Sequence, residues 1–141
     1  DKVSPVQSIM KSENNFMRLS VVMAGLNGAI AVGLGAFASH GMAGEEMNRA
    51  RELVETGAHY QLVHAVGLAA IAALAHQVPD ERLLRWAAYA MLAGILFFCG
   101  ALYVIAFAGI STFGMIAPIG GLSFITGWLM LAGAGWKRFS A

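Results

Sequence analysis

The hydrophobic residues are gathered into four long stretches, and every carboxylate of the chain lies outside them. An α-helix rises 1.5 Å per residue, so roughly 20 apolar residues cross the hydrocarbon layer of a membrane. All four stretches reach that length, and a backbone that spans lipid must satisfy its own hydrogen bonds. The pattern therefore predicts four transmembrane helices, at residues 17–40, 56–77, 84–110 and 113–136.

The connecting segments complete this picture. Residues 44–55 carry apolar side chains at helical spacing among charged ones, which predicts a short amphipathic helix between spans 1 and 2 that runs into the second span. Pro79 marks the break after the second span. The predicted fold class is all-α: a polytopic membrane protein with a four-transmembrane-helix bundle. We predict a polar N-terminal tail at residues 1–16 and the transmembrane domain at residues 17–141.

Composition agrees with a membrane domain. Of the 141 residues, 58% are hydrophobic and 12% are charged, whereas soluble domains carry about 25% charged residues. The formal net charge of +1 gives no electrostatic attraction for nucleic acid, so we predict no nucleic-acid partner. Cys99 is the single cysteine, which excludes an intrachain disulfide.

The basic residues predict how the chain is threaded, because Lys and Arg accumulate in cytoplasmic loops. Only Arg49 and Arg51 flank the spans on one side. The other side has seven basic residues, namely Lys2, Lys11, Arg18, Arg82, Arg85, Lys137 and Arg138. We therefore predict a multi-pass protein of the bacterial inner membrane with both termini in the cytoplasm. The alternative is the mitochondrial inner membrane, with both termini in the matrix.

Polar side chains within spans are costly and mark candidate sites. The predicted threading gathers a set in the outer half of the bundle, namely His40, His59, Tyr60, His64 and Tyr103, with Glu55 beside it. This cluster could be an interhelical hydrogen-bond network, a site for an organic ligand such as a quinone or lipid head group, or a haem or metal site. We predict no cofactor and no metal, and the haem and quinone alternatives stay open. The sequence has no catalytic signature, which predicts a protein that is not an enzyme.

Small residues at four-residue spacing allow helices to approach closely in lipid. Gly25, Ala29 and Gly33 form such a series in the first span, and the fourth span contains Gly120 and Gly121. We predict that these five residues mediate helix packing in a tight bundle.

Four motifs occur in one order along the chain: GAFASHG at 35–41, YQLVHA at 60–65, GALY at 100–103, and APIGG at 117–121 followed by GW at 127–128. With these motifs, residues 17–137 resemble the YgdD/YwdK family of small four-helix inner-membrane proteins, which has mitochondrial relatives. The sequence departs from the family pattern at Ala38, where Gly is usual, and at Ser39, where Ala is usual. The resemblance implies a polytopic inner-membrane protein whose domain has no assigned function.

These observations favour a non-catalytic membrane protein. We expect an accessory or structural subunit that lies in the lipid bilayer and packs against a larger membrane complex or against itself. One alternative is a cofactor- or quinone-binding redox subunit that uses the His/Tyr cluster. A second alternative is a small homo-oligomeric channel or carrier.

Overall fold

The computed structural model describes residues 3–140, so Lys2 and the ends of the two predicted domains at residues 1–2 and 141 lie outside the described residues. Within them the ordered elements are helical. The helices are α1 (Pro5–Gly41), α2 (Asn48–Gln77), α3 (Arg82–Gly94), α4 (Gly100–Ala108) and α5 (Ala117–Phe139). A π-helical turn at Ile95–Cys99 joins α3 to α4, and 3₁₀ turns at Glu45–Met47 and Ser111–Met115 precede α2 and α5.

These elements form four helical units that are long and apolar enough to cross a membrane, namely Pro5–Gly41, Glu45–Gln77, Arg82–Ala108 and Ser111–Phe139. The prediction of an all-α bundle with four candidate spans is confirmed. The amphipathic segment after the first span is helical as well. It is continuous with α2, because the turn at Glu45–Met47 leads directly into that helix.

Helix α1 is much longer than a membrane requires. It has 37 residues, which corresponds to about 55 Å. The Ser4 hydroxyl accepts from the backbone N–H of Gln7, and the Gln7 side chain accepts from the backbone N–H of Ser4. This capping box and Pro5 in the first turn begin the helix inside the segment predicted as a polar tail. The polar residues before position 17 therefore belong to the same helix as the first candidate span.

A seam of alanines joins α1 to α2. Ala24, Ala31 and Ala38 follow one another at seven-residue intervals on one face of α1, and all three are buried. Helix α2 has an equivalent buried series, namely Ala58, Ala65 and Ala72. Seven-residue spacing keeps one face turned toward a partner helix, and small side chains let the two backbones approach closely.

A second seam joins α5 to the span formed by α3 and α4. A Cβ added at Gly120 would overlap the backbone nitrogen of Phe98, and one added at Gly127 would lie 3.3 Å from the carbonyl oxygen of Ala87. Gly94 provides the space occupied by the ring of Phe124. These glycines are required because another backbone or an aromatic ring occupies the position of a side chain.

Three ion pairs lie at one end of the bundle. Arg85 pairs with Glu13, Lys137 lies 3.5 Å from Glu81, and Arg138 lies 3.4 Å from Asp80. They connect the start of α1, the turn between α2 and α3, and the end of α5. Three of the basic residues counted above at the predicted cytoplasmic side, namely Arg85, Lys137 and Arg138, therefore share one end of the molecule.

The small residues of α1 differ from those of α5. Gly25, Ala29 and Gly33 are all exposed, and a Cβ added at either glycine would meet no atom within 4 Å. At 100° per residue they lie about half a turn around the helix from the alanine seam. Within the described molecule these three residues therefore lie on a face of α1 that contacts no other helix closely, and their role in helix packing stays a prediction.

Candidate functional site

A continuous chain of hydrogen bonds crosses three helices in the interior. The Tyr103 hydroxyl donates to Gln61 Oε1 at 2.7 Å, and Gln61 Nε2 donates to Asn27 Oδ1 at 2.9 Å. Asn27 Nδ2 then donates to the carbonyl oxygen of Met23 at 2.8 Å. These hydrogen bonds link α4 to α2 and α2 to α1. Each group donates to the next in the direction of α1.

Local sequence makes room for this chain. Gly57 lies one turn before Gln61 on α2, and a Cβ there would lie 2.6 Å from Cε1 of Tyr103. The tyrosine ring can therefore lie flat against α2 with its hydroxyl at Gln61. Gln61 and Asn27 are 4% and 7% exposed. Interhelical hydrogen bonds in membranes contribute about 0.6 to 2 kcal/mol each, and an unpaired amide in lipid would be costly. This chain of hydrogen bonds fixes the register of the three helices.

His64 forms a second buried site, between α2 and α5. Its Nε2 accepts a hydrogen bond from the indole N–H of Trp128 at 3.0 Å, and its Nδ1 lies 2.6 Å from the carbonyl oxygen of Tyr60. An indole nitrogen can only donate and a carbonyl oxygen can only accept. His64 is therefore the neutral tautomer that carries its proton on Nδ1, and both ring nitrogens are occupied.

Aromatic rings surround His64. The imidazole stacks on Phe124 with centroids 3.5 Å apart and planes 15° apart, and the Tyr60 ring lies 6.0 Å from the imidazole and 6.2 Å from Phe124. Phe98 contacts both Tyr60 and Phe124. Tyr60 is 41% exposed. The histidine is thus a hydrogen-bonded part of an aromatic core that opens to the lipid at Tyr60.

His40 and His59 lie elsewhere. Both are exposed, and they line a groove of about 440 Å³ between α1 and α2 together with Ser39 and Glu55. The five residues predicted as one cluster are thus distributed over three places. Tyr103 belongs to the amide chain, Tyr60 and His64 belong to the aromatic core, and the other two histidines face the groove. His59 and His64 are five residues apart, or about 140° around α2, so they face different directions, while the His59 ring still contacts Tyr60 edge to face at 5.9 Å.

The chemistry of these groups is that of satisfied hydrogen bonds. Within residues 3–140, every buried side-chain nitrogen and oxygen has a hydrogen-bond partner. A metal or haem iron at His64 would have to displace the Trp128 indole from Nε2. Across the same residues, no group of three or more His, Cys, Asp and Glu side chains is arranged to hold a metal ion.

Three residues that complete the networks are absent from the predicted cluster, namely Asn27, Gln61 and Trp128. Each carried a signal in the sequence. The two amides lie well inside apolar spans, where a polar group needs a partner. Trp128 lies within the fourth span, whereas tryptophans that anchor a helix are found at the membrane surface. The sequence did not predict which of these polar groups face one another.

Taken together, the four apolar helices and the internally paired polar groups define a multi-pass helical membrane protein. A family model described as "Protein of unknown function (DUF423)" matches residues 34–121. The UPF0382 membrane protein YwdK of Bacillus subtilis is 36% identical over 121 residues, which cover 86% of this chain and 98% of the relative. A UPF0382 membrane protein of Haemophilus influenzae is 36% identical over 120 residues, which cover 85% of this chain and 95% of the relative.

The UPF0382 membrane protein SAB0533 of Staphylococcus aureus is similar to the same extent, with 36% identity over 86% of this chain and 98% of the relative. No solved structure matches the chain significantly. The chain therefore belongs to the DUF423/UPF0382 family of membrane proteins, which confirms the predicted family. The function of this family is unknown.

Proposed function

We propose that this protein is a non-catalytic subunit of the membrane that associates with another membrane polypeptide through the outward face of α1. The outward face is defined here as Gly25, Ala29 and Gly33. The observation that carries the proposal is the open space above both glycines, where an added Cβ would meet nothing. Glycine costs helix stability relative to alanine. Its cost on a lipid-facing surface is offset if a second helix uses the space.

A second copy of the chain is the simplest partner. Most oligomers are symmetric, and a twofold axis brings the same surface of each copy together. Small residues at four-residue spacing are the interface that two transmembrane helices use for close backbone approach. Much of α1 is available for such a contact, because only 22% of its apolar stretch is buried inside the molecule. The fourth span is buried to the same share, so it is the small residues, and not exposure, that distinguish α1.

The proposal includes an orientation. We infer a multi-pass protein of the bacterial inner membrane with the ion-paired end of the bundle in the cytoplasm. Support comes from the basic residues at that end, which hold positions typical of cytoplasmic flanks. A reporter active only in the cytoplasm, fused after the C-terminus, should be active. Activity of a periplasmic reporter at the same position would contradict the orientation.

Association is tested by native mass spectrometry after extraction in a mild detergent. The wild-type chain should appear as a dimer or in complex with another membrane subunit. Ala29→Leu should shift it to the monomer, because the three extra carbon atoms of each leucine side chain hold the two backbones apart. Ala73→Leu, the same change on an exposed position of α2, is the matched control and should leave the assembly intact. A wild-type monomer without a partner would refute the proposal.

A further inference from the structure

A basic groove lies between the first turns of α1 and the start of α3, away from the sites described above. Its volume is about 570 Å³, and its cationic side chains are Lys11 and Arg85. Hydroxyl and amide groups of Ser12 and Asn15 line it as well. Among the described residues that line this groove, none carries a carboxylate. The lining therefore offers positive charge and hydrogen-bond donors to a ligand.

The two cations differ in what else they contact. Arg85 pairs with Glu13 and lies over the ring of Phe16 at 4.8 Å, so its guanidinium is held in place at the groove. Lys11 is exposed and forms no ion pair with any described residue. Lys11 is thus the cation whose charge is available to an incoming anion, while Arg85 provides a fixed second contact.

The deeper wall of the groove is apolar. Phe16, Leu19 and Tyr89 line it, and the rings of Phe16 and Tyr89 meet edge to face with centroids 6.2 Å apart. The long apolar run of α1 begins near residue 17, and Lys11 precedes it by roughly two turns, or about 9 Å. The groove is therefore polar at the level of lipid head groups and apolar at the level of the first acyl carbons.

A neighbouring groove, which shares Ser12 and Arg85 with the first, provides an internal comparison. It is of the same size, but it is lined by the carboxylates of Glu13 and Asp80 as well as by Arg82 and Arg85. Its charges are mixed, so an anion gains little from entering it. The position of these carboxylates thus favours the groove at Lys11 over its neighbour for a negatively charged molecule.

We propose that the groove bounded by Lys11, Arg85 and Tyr89 binds an anionic phospholipid, with the phosphate at the two cations and the first acyl carbons against the aromatic wall. Basic pockets between transmembrane helices on the cytoplasmic side are suited to anionic head groups. The leaflet that supplies this lipid is the cytoplasmic one, a statement that rests on the orientation proposed above. Binding itself does not depend on that orientation, so the reporter fusion and the lipid assay can fail separately.

The test is native mass spectrometry of the full-length protein in detergent with phosphatidylglycerol or phosphatidylcholine of identical acyl chains. We expect retention of phosphatidylglycerol in preference to phosphatidylcholine. Lys11→Gln should lower the affinity for phosphatidylglycerol about fivefold, the effect of removing one basic residue near an anionic lipid surface. Lys11→Arg should keep the preference. Arg138→Gln, which removes one charge at the same end but outside the groove, should leave it unchanged.

Four results would overturn the proposal. Equal retention of the two lipids would show that charge does not select the occupant. An unchanged affinity in Lys11→Gln, or an equal loss in Arg138→Gln, would show that the lipid binds elsewhere. Displacement of the lipid by inorganic phosphate at a concentration near that of the lipid would show that the groove binds a free anion and that the apolar wall contributes nothing.

Discussion

The glycines of α5 and the glycines of α1 illustrate two uses of the same residue type. In α5, Gly120 and Gly127 face the backbone of the neighbouring span, and a side chain at either position would meet Phe98 or Ala87. In α1, Gly25 and Gly33 face open space. Spacing alone does not distinguish these two cases. The difference is whether the close approach occurs within the chain or, as we propose, between chains.

We expect the largest effect from a substitution that disrupts the contact between α5 and the span formed by α3 and α4. Gly120→Ala should destabilise the fold by about 3 kcal/mol, because the new methyl group overlaps the backbone of the adjacent span. Gly121→Ala is the matched control, since its Cβ would lie in ordinary contact at 4.0 Å from the Phe98 ring. It should be neutral or stabilising by up to about 1 kcal/mol. Unfolding in mixed detergent micelles measures both, and equal effects would show that the seam is looser than described.

The next effect compares the two faces of α1. Ala38→Leu should cost about 2 kcal/mol, because Ala38 is fully buried against Met42 and Val54. Ala29→Leu makes the same change on the outward face and should leave the stability of the monomer within about 0.5 kcal/mol of wild type. If both variants lost stability equally as monomers, the assignment of inner and outer faces would be wrong.

A smaller effect tests the amide chain that holds the inner face of α1 in register. Tyr103→Phe should cost about 1 kcal/mol, because Gln61 Oε1 loses its donor in a buried position. Tyr60→Phe is the control, since the Tyr60 hydroxyl is not part of this chain and its ring is 41% exposed. It should change stability by no more than about 0.5 kcal/mol. The same unfolding assay applies, and a larger loss in Tyr60→Phe would reassign the anchoring role.

The sequence predicted the fold well because long apolar stretches without carboxylates have few structural options in a membrane. Three of the four predicted spans fall inside the helical units of the structure, and the third, at 84–110, runs two residues past its unit because Gly109, with φ 70°, ends α4. It predicted the start of α1 less well. The polar residues before position 17 indicated a tail, but the capping box at Ser4 begins a helix that continues without a break into the span.

The candidate site was harder to predict, since it depends on how each helix is rotated. Spacing correctly indicated that Tyr60 and His64 share a face, and their rings stack. Spacing within one helix could not show that Gln61 faces both Asn27 and Tyr103, whose positions are 34 and 42 residues away. The seven-residue repeat of alanines in α1 and α2 was the available signal for the rotation of these helices.

Cysteine cross-linking in native membranes tests the role of the outward face most directly. Ala29→Cys in a Cys99→Ser background should form a disulfide or a bismaleimide cross-link to a second membrane polypeptide, in the simplest case another copy of the chain. Ala132→Cys, an exposed position of α5, should give no such product. Absence of a cross-linked species at Ala29, or equal cross-linking at both positions, would contradict the claim that α1 is an interface.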